Sequence, residues 1–540
     1  MPTKVKRPAS ASRAKPAAPS ARNGRRSDEE MLTELKRRLL EIADLRAAEA
    51  VLGWDHATYM PTGGAAARGR QSATLSRLAH ERFVDPATGK LIDALTRFAE
   101  TLPPDHDDAC LIRVTRRDYD KATRVPSDYV ERASQVGAAS YDAWTRARPA
   151  NDFAAMVPFL EQQLDLTREY SGYFAPYDHI ADPHIDDADE GMTTAAIKRL
   201  FTDLRRDLVP IARAIGEQEV ADDSCLHAVF DEAPQLAFGL AVARRFGYDL
   251  TRGRLDKTHH PFCTTFSLGD VRITTRVRTD DLGDALFSTL HETGHALYEQ
   301  GVGAELEGTP LGHGTSAGVH ESQSRLWENV VGRSRGFWQH YYPRLQEAFP
   351  GQLAAVPLDT FYRAINKVTP SLIRTDADEV TYNLHVMLRF DLELDLLEGR
   401  LRVADLPEAW RARMASDLGV TPPDDREGVL QDVHWYSSGF GGQFQSYTIG
   451  NILSAQFYAA AAAAHPAIPG EIARGEFATL HGWLRDHLYR HGRKYPPDEI
   501  VRRATDTPLT MRPYLAYLRA KYGELYRLPE AGEAESVAAN

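Results

Sequence analysis

The sequence predicts a mainly α-helical protein with one small β-sheet. Apolar residues recur at steps of three and four in many segments, and the first segment begins after a capping residue at Ser27 or Asp28. Further segments of this kind lie near residues 89–100, 151–174, 194–218, 235–246, 321–347, 382–400 and 476–491. Strict alternation with β-branched residues is clear only at 271–277, and residues 262–267 can pair with it across the turn at 268–270.

Length and composition indicate one folded body with two tails. The chain has 540 residues, of which 43% are hydrophobic and 26% are charged, as in an ordinary globular protein. No fixed-period repeat or Gly/Ser linker interrupts residues 28–527, so we expect one domain there, as a single body or as two helical lobes. Residues 1–27 and 528–540 are expected to be disordered. A transit peptide is the alternative for the first tail, which is rich in Arg and Ser.

The distribution of charge argues against nucleic acid as a partner. The net charge is −12, but residues 1–27 hold eight Lys and Arg and no acidic residue. The rest of the chain therefore carries 56 basic residues against 76 acidic ones, a net charge of −20. Because a phosphate backbone binds to a basic face, a body this acidic is a poor match for it.

Cysteine usage and hydropathy predict a cytoplasmic protein. The 3 Cys lie too far apart for a Cys-x-x-Cys site, which fits a reducing compartment. The stretch 449–468 is low in charge, but it contains polar residues and six consecutive alanines, so it is too weakly apolar for a membrane span. No apolar segment typical of a secretory signal follows Met1. We therefore expect no membrane partner.

The motif His291-Glu292-Thr293-Gly294-His295 carries the most specific chemistry. On a helix, residues at i and i+4 share a face, so both imidazoles can bind one Zn²⁺ ion. Glu292 is then close enough to take a proton from a water molecule as a general base. The strand predicted at 271–277 lies just upstream, an arrangement in which a peptidase can hold a peptide by edge pairing.

A third ligand is required, and the sequence offers two glutamates. The metzincin pattern is excluded, because the positions three and six residues after the second histidine lack its Gly and His. Glu299 follows His295 by four residues, and we expect it to face solvent. Glu321 begins the next helical segment, and an antiparallel return would bring it to the histidines. The predicted site is therefore His₂Glu with one open position, made by His291, His295 and Glu321.

Six short blocks stand in order along the chain. They are His260-Pro261-Phe262, Asp270-x-Arg272-x-Thr274, the His291–His295 motif, His320-Glu321-Ser322-Gln323, Ile373-Arg374-x-x-Ala377-Asp378 and Gly428-x-x-Gln431-Asp432-x-His434-Trp435. Together with Leu52-Gly53-Trp54-Asp55, they resemble the carboxypeptidase Taq family of metallocarboxypeptidases from about Glu30 to about Tyr526. The segment Gly441–Gln445 departs from the family pattern, which we expect to alter a loop and not the ion ligands.

The resemblance carries expectations about fold and activity. It implies a single large zincin-type helical body with a deep central groove and the small sheet next to the His-Glu-x-x-His helix. It implies the release of single C-terminal amino acids from peptides, with broad specificity and poor action on a terminal Pro. One ion per chain, Zn²⁺ or alternatively Co²⁺, and a homodimer also follow from the resemblance.

Two further catalytic residues and a carboxylate clamp are predicted from the later blocks. His434 and Tyr447 are expected to stabilise the oxyanion from a Gly-rich segment, and packing in the core is the alternative. Arg374 is expected to bind the terminal carboxylate of the substrate through its two-pronged guanidinium. Its alternative is a structural ion pair with Asp376 or Asp378.

Asp270 and Arg272 flank the start of the predicted strand. They are candidates for substrate binding, and pairing with each other is the alternative. Two rival functions also stay open: a helical His₂Glu oligo-endopeptidase or aminopeptidase, and a metal scaffold without activity. The Gly-x-Met-Glu-Asn motif of an aminopeptidase is absent from the sequence. A scaffold would fill the fourth position with a protein ligand such as His313 or His320.

Overall fold

The computed structural model describes residues 26–528, and most of them are helical. The α-helices are α1 (Asp28–Thr58), α2 (Ala65–Phe83), α3 (Pro86–Ala99), α4 (Asp107–Ala122), α5 (Ser127–Ala150), α6 (Val157–Gly172), α7 (Asp182–Ala188), α8 (Thr194–Gly216), α9 (Glu232–Phe246), α10 (Leu282–Gly301), α11 (Ala317–Arg325), α12 (Arg335–Ala348), α13 (Pro350–Leu353), α14 (Leu358–Ile365), α15 (Tyr382–Leu397), α16 (Leu406–Leu418), α17 (His434–Ser437), α18 (Phe444–Ala464), α19 (Ile468–Ile472), α20 (Ala478–His487), α21 (Pro497–Thr505) and α22 (Arg512–Tyr526). The predicted mainly α-helical class is confirmed. The predicted tails lie almost entirely outside the described residues.

One three-stranded sheet accompanies the helices, in the order β1-β3-β2. Its strands are β1 (Leu255–Lys257), β2 (Cys263–Ser267) and β3 (Asp270–Thr275). The antiparallel hairpin of β2 and β3 is confirmed, whereas the sequence analysis missed the short parallel strand β1. Because β3 is the central strand and both of its edges are paired, the prediction that a peptide pairs with it is wrong.

Local sequence explains where the first helix starts and where two predicted helical segments break. The Ser27 hydroxyl accepts a hydrogen bond from the Glu30 amide, and the Glu30 carboxylate accepts one from the Ser27 amide, which is a capping box. Asn151 ends α5 with a positive φ of 56°. The predicted segment 151–174 therefore begins with a break in the helix, and α6 starts only at Val157. The predicted segment 321–347 is divided by a π-helical turn, Leu326–Val331.

Two glycines allow α11 to lie tightly between α10 and α18. A Cβ on Gly294 of α10 would lie 2.4 Å from the carbonyl oxygen of Gln323 on α11. A Cβ on Gly450 of α18 would lie 2.5 Å from Cγ of Glu321, which is also on α11. Both distances are shorter than a carbon contact allows, so the three helices approach this closely only with glycine at both positions.

The buried apolar side chains form two clusters. The smaller one is made largely by α1, α3 and α4, and the larger one takes in most of the other helices and β3. That residues 28–527 form a single domain stays a prediction. Within the described residues, no helix combines the length and the apolar character that crossing a membrane requires.

Candidate metal centre and substrate site

Helix α10 presents the His-Glu-x-x-His motif and is fixed at both its start and its flank. The Asp281 carboxylate accepts a hydrogen bond from the Gly283 amide and caps the helix. The Thr275 hydroxyl at the end of β3 donates to the carbonyl oxygen of Ala285. The predicted position of the sheet next to this helix is therefore confirmed.

His291, His295 and Glu321, the three predicted ligands, come together in the structure. One donor atom from each residue lies within 4.8 Å of the other two. The Glu321 Oε2 atom lies 3.6 Å from His291 Nε2 and 3.4 Å from His295 Nε2. Two imidazoles and one carboxylate converging in this way fit a small divalent ion that prefers nitrogen and oxygen ligands. We call these three residues the metal cluster.

The second nitrogen of His291 and the second oxygen of Glu321 are already engaged. His291 Nδ1 lies 2.9 Å from the Glu328 carboxylate, and Arg325 Nε donates to Glu321 Oε1 at 2.7 Å. Partners of this kind fix the rotation of each ligand and leave its other donor atom for an ion. Arg325 and Glu328 were not among the predicted site residues, although residues 321, 325 and 328 follow the i, i+4, i+7 spacing of one helix face.

The expectation that Glu299 faces solvent is wrong. Glu299 is only 4% exposed, because the loop after α10 folds back over it. Its carboxylate accepts a hydrogen bond from the Gly314 amide and contacts the rings of His313 and His320. The Nδ1 atom of His320 in turn contacts Nδ1 of His295, the nitrogen of His295 that faces away from the metal cluster. Neither His313 nor His320 belongs to the group of converging donor atoms.

Burial and neighbouring charges divide the carboxyl groups of the site into two kinds. Burial raises the pKa of Glu292 to about 7, and no group of the described residues donates a hydrogen bond to its carboxylate. Burial also opposes the ionisation of Glu321, but Arg325 and the two imidazoles hold its pKa well below the usual range. Glu321 is therefore an anion ready to bind a cation, while Glu292 can take up a proton near neutral pH.

A second cluster assembles around Asp432, which accepts hydrogen bonds from Arg374, Arg389 and His434. We call these four residues the Asp432 cluster. Burial disfavours the Asp432 anion, but Arg374 and Arg389 hold its pKa well below the usual value. The sequence analysis missed Arg389, which lies fully buried on α15 and shows no motif of its own.

Arg374 is 5% exposed, and its guanidinium donates three hydrogen bonds. Two of them run to the Asp432 carboxylate and one to the Tyr382 hydroxyl. The alternative of a structural pair with Asp376 or Asp378 is therefore wrong, because the chain folds Asp432 onto Arg374 from 58 residues away. Asp378 instead accepts hydrogen bonds at the start of α15.

His434 and Tyr447 contact each other at the edge of the Asp432 cluster. His434 Nδ1 is bonded to Asp432, and its Nε2 lies 3.0 Å from the Tyr447 hydroxyl. A neutral His434 ring then accepts from Tyr447, whereas a protonated ring donates through Nε2 and leaves the Tyr447 hydroxyl proton for another acceptor. Gly439, Gly441 and Gly442, all at positive φ, shape the segment between the two residues.

The metal cluster and the Asp432 cluster are joined by two side chains. The Arg325 guanidinium, which holds Glu321, lies 4.5 Å from the centre of the Tyr382 ring. The Tyr382 hydroxyl accepts a hydrogen bond from Arg374 at 2.8 Å. The two clusters are therefore neighbours in the fold, linked through Arg325 and Tyr382.

Asp270 and Arg272 form a bidentate ion pair with each other, at 2.7 and 2.8 Å. The Arg272 guanidinium also lies between the rings of Trp54 and Phe266, at 4.4 and 4.8 Å from their centres. These contacts tie α1 to the sheet. A role of these two residues in substrate binding stays a prediction.

The fold and the site define a class: a helical metallopeptidase whose His-Glu-x-x-His helix lies beside a small sheet. Comparison with known proteins identifies the family. The family model described as "Carboxypeptidase Taq (M32) metallopeptidase" matches residues 34–522. The chain belongs to this family and is a metallocarboxypeptidase, a peptide hydrolase.

Named relatives and solved structures agree with this assignment. The thermostable carboxypeptidase 1 of Thermus thermophilus is 41% identical over 496 residues, which cover 90% of this chain and 97% of that protein. The crystal structure of an M32 carboxypeptidase from Deinococcus radiodurans has 52% sequence identity and a TM-score of 0.89, and the match covers 92% of this chain and 99% of that one. Metallocarboxypeptidase 1 of Trypanosoma cruzi has 31% identity, a TM-score of 0.86 and coverages of 92% and 100%.

Proposed function

We propose that this metallocarboxypeptidase removes single C-terminal amino acids with one zinc ion per chain, held by His291, His295 and Glu321. The observation that carries the proposal is the convergence of these three donor atoms within 4.8 Å. Cobalt suits the same donor set and is the alternative ion. When bound, the ion supplies Lewis acidity, which polarises the scissile carbonyl and makes a water molecule acidic enough to react near neutral pH.

Glu292 is proposed to move the proton. Its carboxylate has no donor among the described residues, and burial raises its pKa to about 7. It can therefore take a proton from the attacking water and return it to the leaving amine. Residues with this pKa transfer protons in both directions near neutral pH.

Tyr447 is proposed to donate to the oxyanion that develops on the scissile carbonyl, and His434 is proposed to position the Tyr447 hydroxyl for it. Asp432 accepts the Nδ1 proton of His434, which fixes the ring orientation. A protonated His434 then donates to the Tyr447 oxygen and frees the Tyr447 hydroxyl proton for the substrate. A single donor of this kind contributes about 2.7–4 kcal/mol in other enzymes.

The Asp432 cluster is proposed to recognise the terminal carboxylate of the peptide. Two buried guanidinium groups face one carboxylate there, so one positive charge has no anionic partner within the cluster. Arg374 uses three of its five N–H groups on Asp432 and Tyr382. Its two remaining N–H groups are suited to a second carboxylate.

One time course tests the proposal against its rivals. An N-acetylated peptide is incubated with the protein and followed by mass spectrometry, after chelation and again after zinc or cobalt is added back. Stepwise shortening from the C-terminus that stops on chelation and returns with the ion supports the proposal. Internal cuts indicate the endopeptidase. No cleavage with any added ion indicates the scaffold.

The remaining expectations follow from the resemblance. Broad specificity with poor action on a terminal Pro is checked by the same assay on a peptide series that differs only in the last residue. The homodimer is checked by sedimentation at several protein concentrations. The cytoplasmic location is checked by fractionating cells that express the full chain.

A further inference from the structure

The two histidines of the metal cluster are supported in different ways. His291 Nδ1 contacts the Glu328 carboxylate directly, at 2.9 Å. His295 Nδ1 instead contacts a third imidazole, that of His320, at 2.6 Å between the two Nδ1 atoms. His320 Nε2 lies 2.9 Å from the buried carboxylate of Glu299. The Nδ1 atom of His295 therefore reaches a carboxylate only through a relay of one imidazole.

With a neutral His320 ring, the hydrogen bonds of this relay run in a single direction. The Glu299 carboxylate can only accept, so His320 must donate through Nε2. A neutral His320 then has a lone pair at Nδ1, which accepts the Nδ1 proton of His295. His295 keeps a lone pair at Nε2, the atom that lies 3.4 Å from Glu321. The opposite tautomer of His295 would direct a proton toward Glu321 and leave no lone pair for an ion.

Packing holds the His320 ring in the position that this relay needs. The Tyr298 ring lies 5.2 Å from it at an interplanar angle of 33°. On the Gly314 side, a Cβ would lie 2.7 Å from His320 Cδ2, so the backbone approaches closely there. The Gly314 amide also donates to the Glu299 oxygen that contacts His320. The relay is thus built from both sides, by α10 and by the loop before α11.

We propose that His320 and Glu299 are positioning residues that hold His295 in its Nδ1–H tautomer and thereby strengthen ion binding by the metal cluster. This inference rests on the proposed function, because it takes His291, His295 and Glu321 as the ligands. His313 marks the outer end of the relay. It contacts the other oxygen of Glu299 and its side chain is 60% exposed, so it is expected to contribute little.

The test compares two amides at one position. In His320→Asn the amide oxygen can take the place of Nδ1 and still accept from His295, whereas in His320→Gln the amide reaches Glu299 but lacks an atom at the Nδ1 position. The zinc dissociation constant of the full chain is measured by competition with a chromophoric chelator. His320→Gln and Glu299→Leu are expected to weaken zinc binding about 10- to 100-fold, the usual range for such partners, and His320→Asn by less.

Two controls come from the same neighbourhood. Tyr298→Phe keeps the ring against His320, and His313→Ala removes only the exposed end, so both are expected to bind zinc within about twofold of the unmodified chain. Thermal unfolding of the metal-free proteins checks that each variant folds. If His320→Gln and His320→Asn weaken binding equally, the effect is packing and the tautomer assignment is overturned. The same holds if neither variant weakens it.

The variant Glu321→Gln tests the proposed ligand set independently of the relay. This variant is expected to lose zinc affinity more strongly than any variant of the relay, because it removes a direct ligand. If Glu321→Gln binds zinc as tightly as the unmodified chain, the ion is held elsewhere, and both the ligand set and the relay are rejected.

Discussion

The metal cluster and the Asp432 cluster are neighbours in the fold, but they are built in opposite ways. The metal cluster comes from two consecutive helices, α10 and α11, and its residues follow helical spacing. The Asp432 cluster draws Arg374 from the turn before α15, Arg389 from α15, and Asp432 and His434 from a later segment. Short-range spacing is therefore enough to predict the first cluster, whereas the second exists only once distant segments have packed together.

The two clusters also carry opposite charge. Around the metal cluster, three buried glutamates (Glu292, Glu321 and Glu328) face two arginines (Arg325 and Arg333). The Asp432 cluster has two arginines around one carboxylate. The first arrangement suits a cation and the second suits the anionic end of a peptide, and Tyr382 lies between them. Variants in one cluster should therefore impair a different step from variants in the other.

The largest effect is expected for Glu321→Ala, which removes the only anionic ligand of the metal cluster. Bound ion should fall to near zero after dialysis, and peptide hydrolysis should fall to background with it. Metal content by mass spectrometry and the rate of release of the terminal amino acid measure this. Unchanged occupancy would reject Glu321 as a ligand.

Glu292→Gln should separate chemistry from ion binding within the same helix. The amide has nearly the size of the carboxylate but cannot take up a proton, so kcat should fall by about 10²- to 10⁴-fold. Bound ion should stay at the level of the unmodified chain, because Glu292 is not among the converging donors. If the Glu292→Gln variant keeps full activity, Glu292 is not the general base.

Asp432→Asn should lower the free energy of unfolding without weakening ion binding by the metal cluster. It leaves the buried guanidinium groups of Arg374 and Arg389 without an anion, which costs about 3–5 kcal/mol in comparable buried pairs. The free energy of unfolding of the metal-free protein in urea measures the effect. The matched control is Asp270→Asn, which breaks the more exposed pair with Arg272 and should cost about 1 kcal/mol or less. If Asp432→Asn and Asp270→Asn lower the free energy of unfolding equally, the buried and the exposed pair do not differ in the way expected here.

The smallest effect is expected for Arg374→Ala on substrate binding. KM for peptides with a free C-terminus should rise by about tenfold, because one charge-assisted hydrogen-bonding group is lost. KM for the same peptides with an amidated C-terminus should change much less. Equal changes for both kinds of peptide would assign Arg374 a purely structural role.

Residue spacing within short segments was enough to predict several features of the fold and the site. Apolar periodicity predicted the helical class, and alternation with a turn predicted the β2–β3 hairpin. Spacing of four residues placed His291 and His295 on one face, and the start of the next helical segment brought Glu321 opposite them. These results need only the repeat of a helix or strand and one chain reversal.

The groups that surround these residues depend on how distant segments pack together. Glu299 looked like a solvent-facing residue, but the loop at Gly314 buries it against His320. Arg374 has two acidic residues close by in sequence, yet it pairs with Asp432 far along the chain. The β3 strand looked available to a peptide until β1 covered its second edge. Each outcome depends on contacts between distant segments, which a helical or strand repeat does not encode.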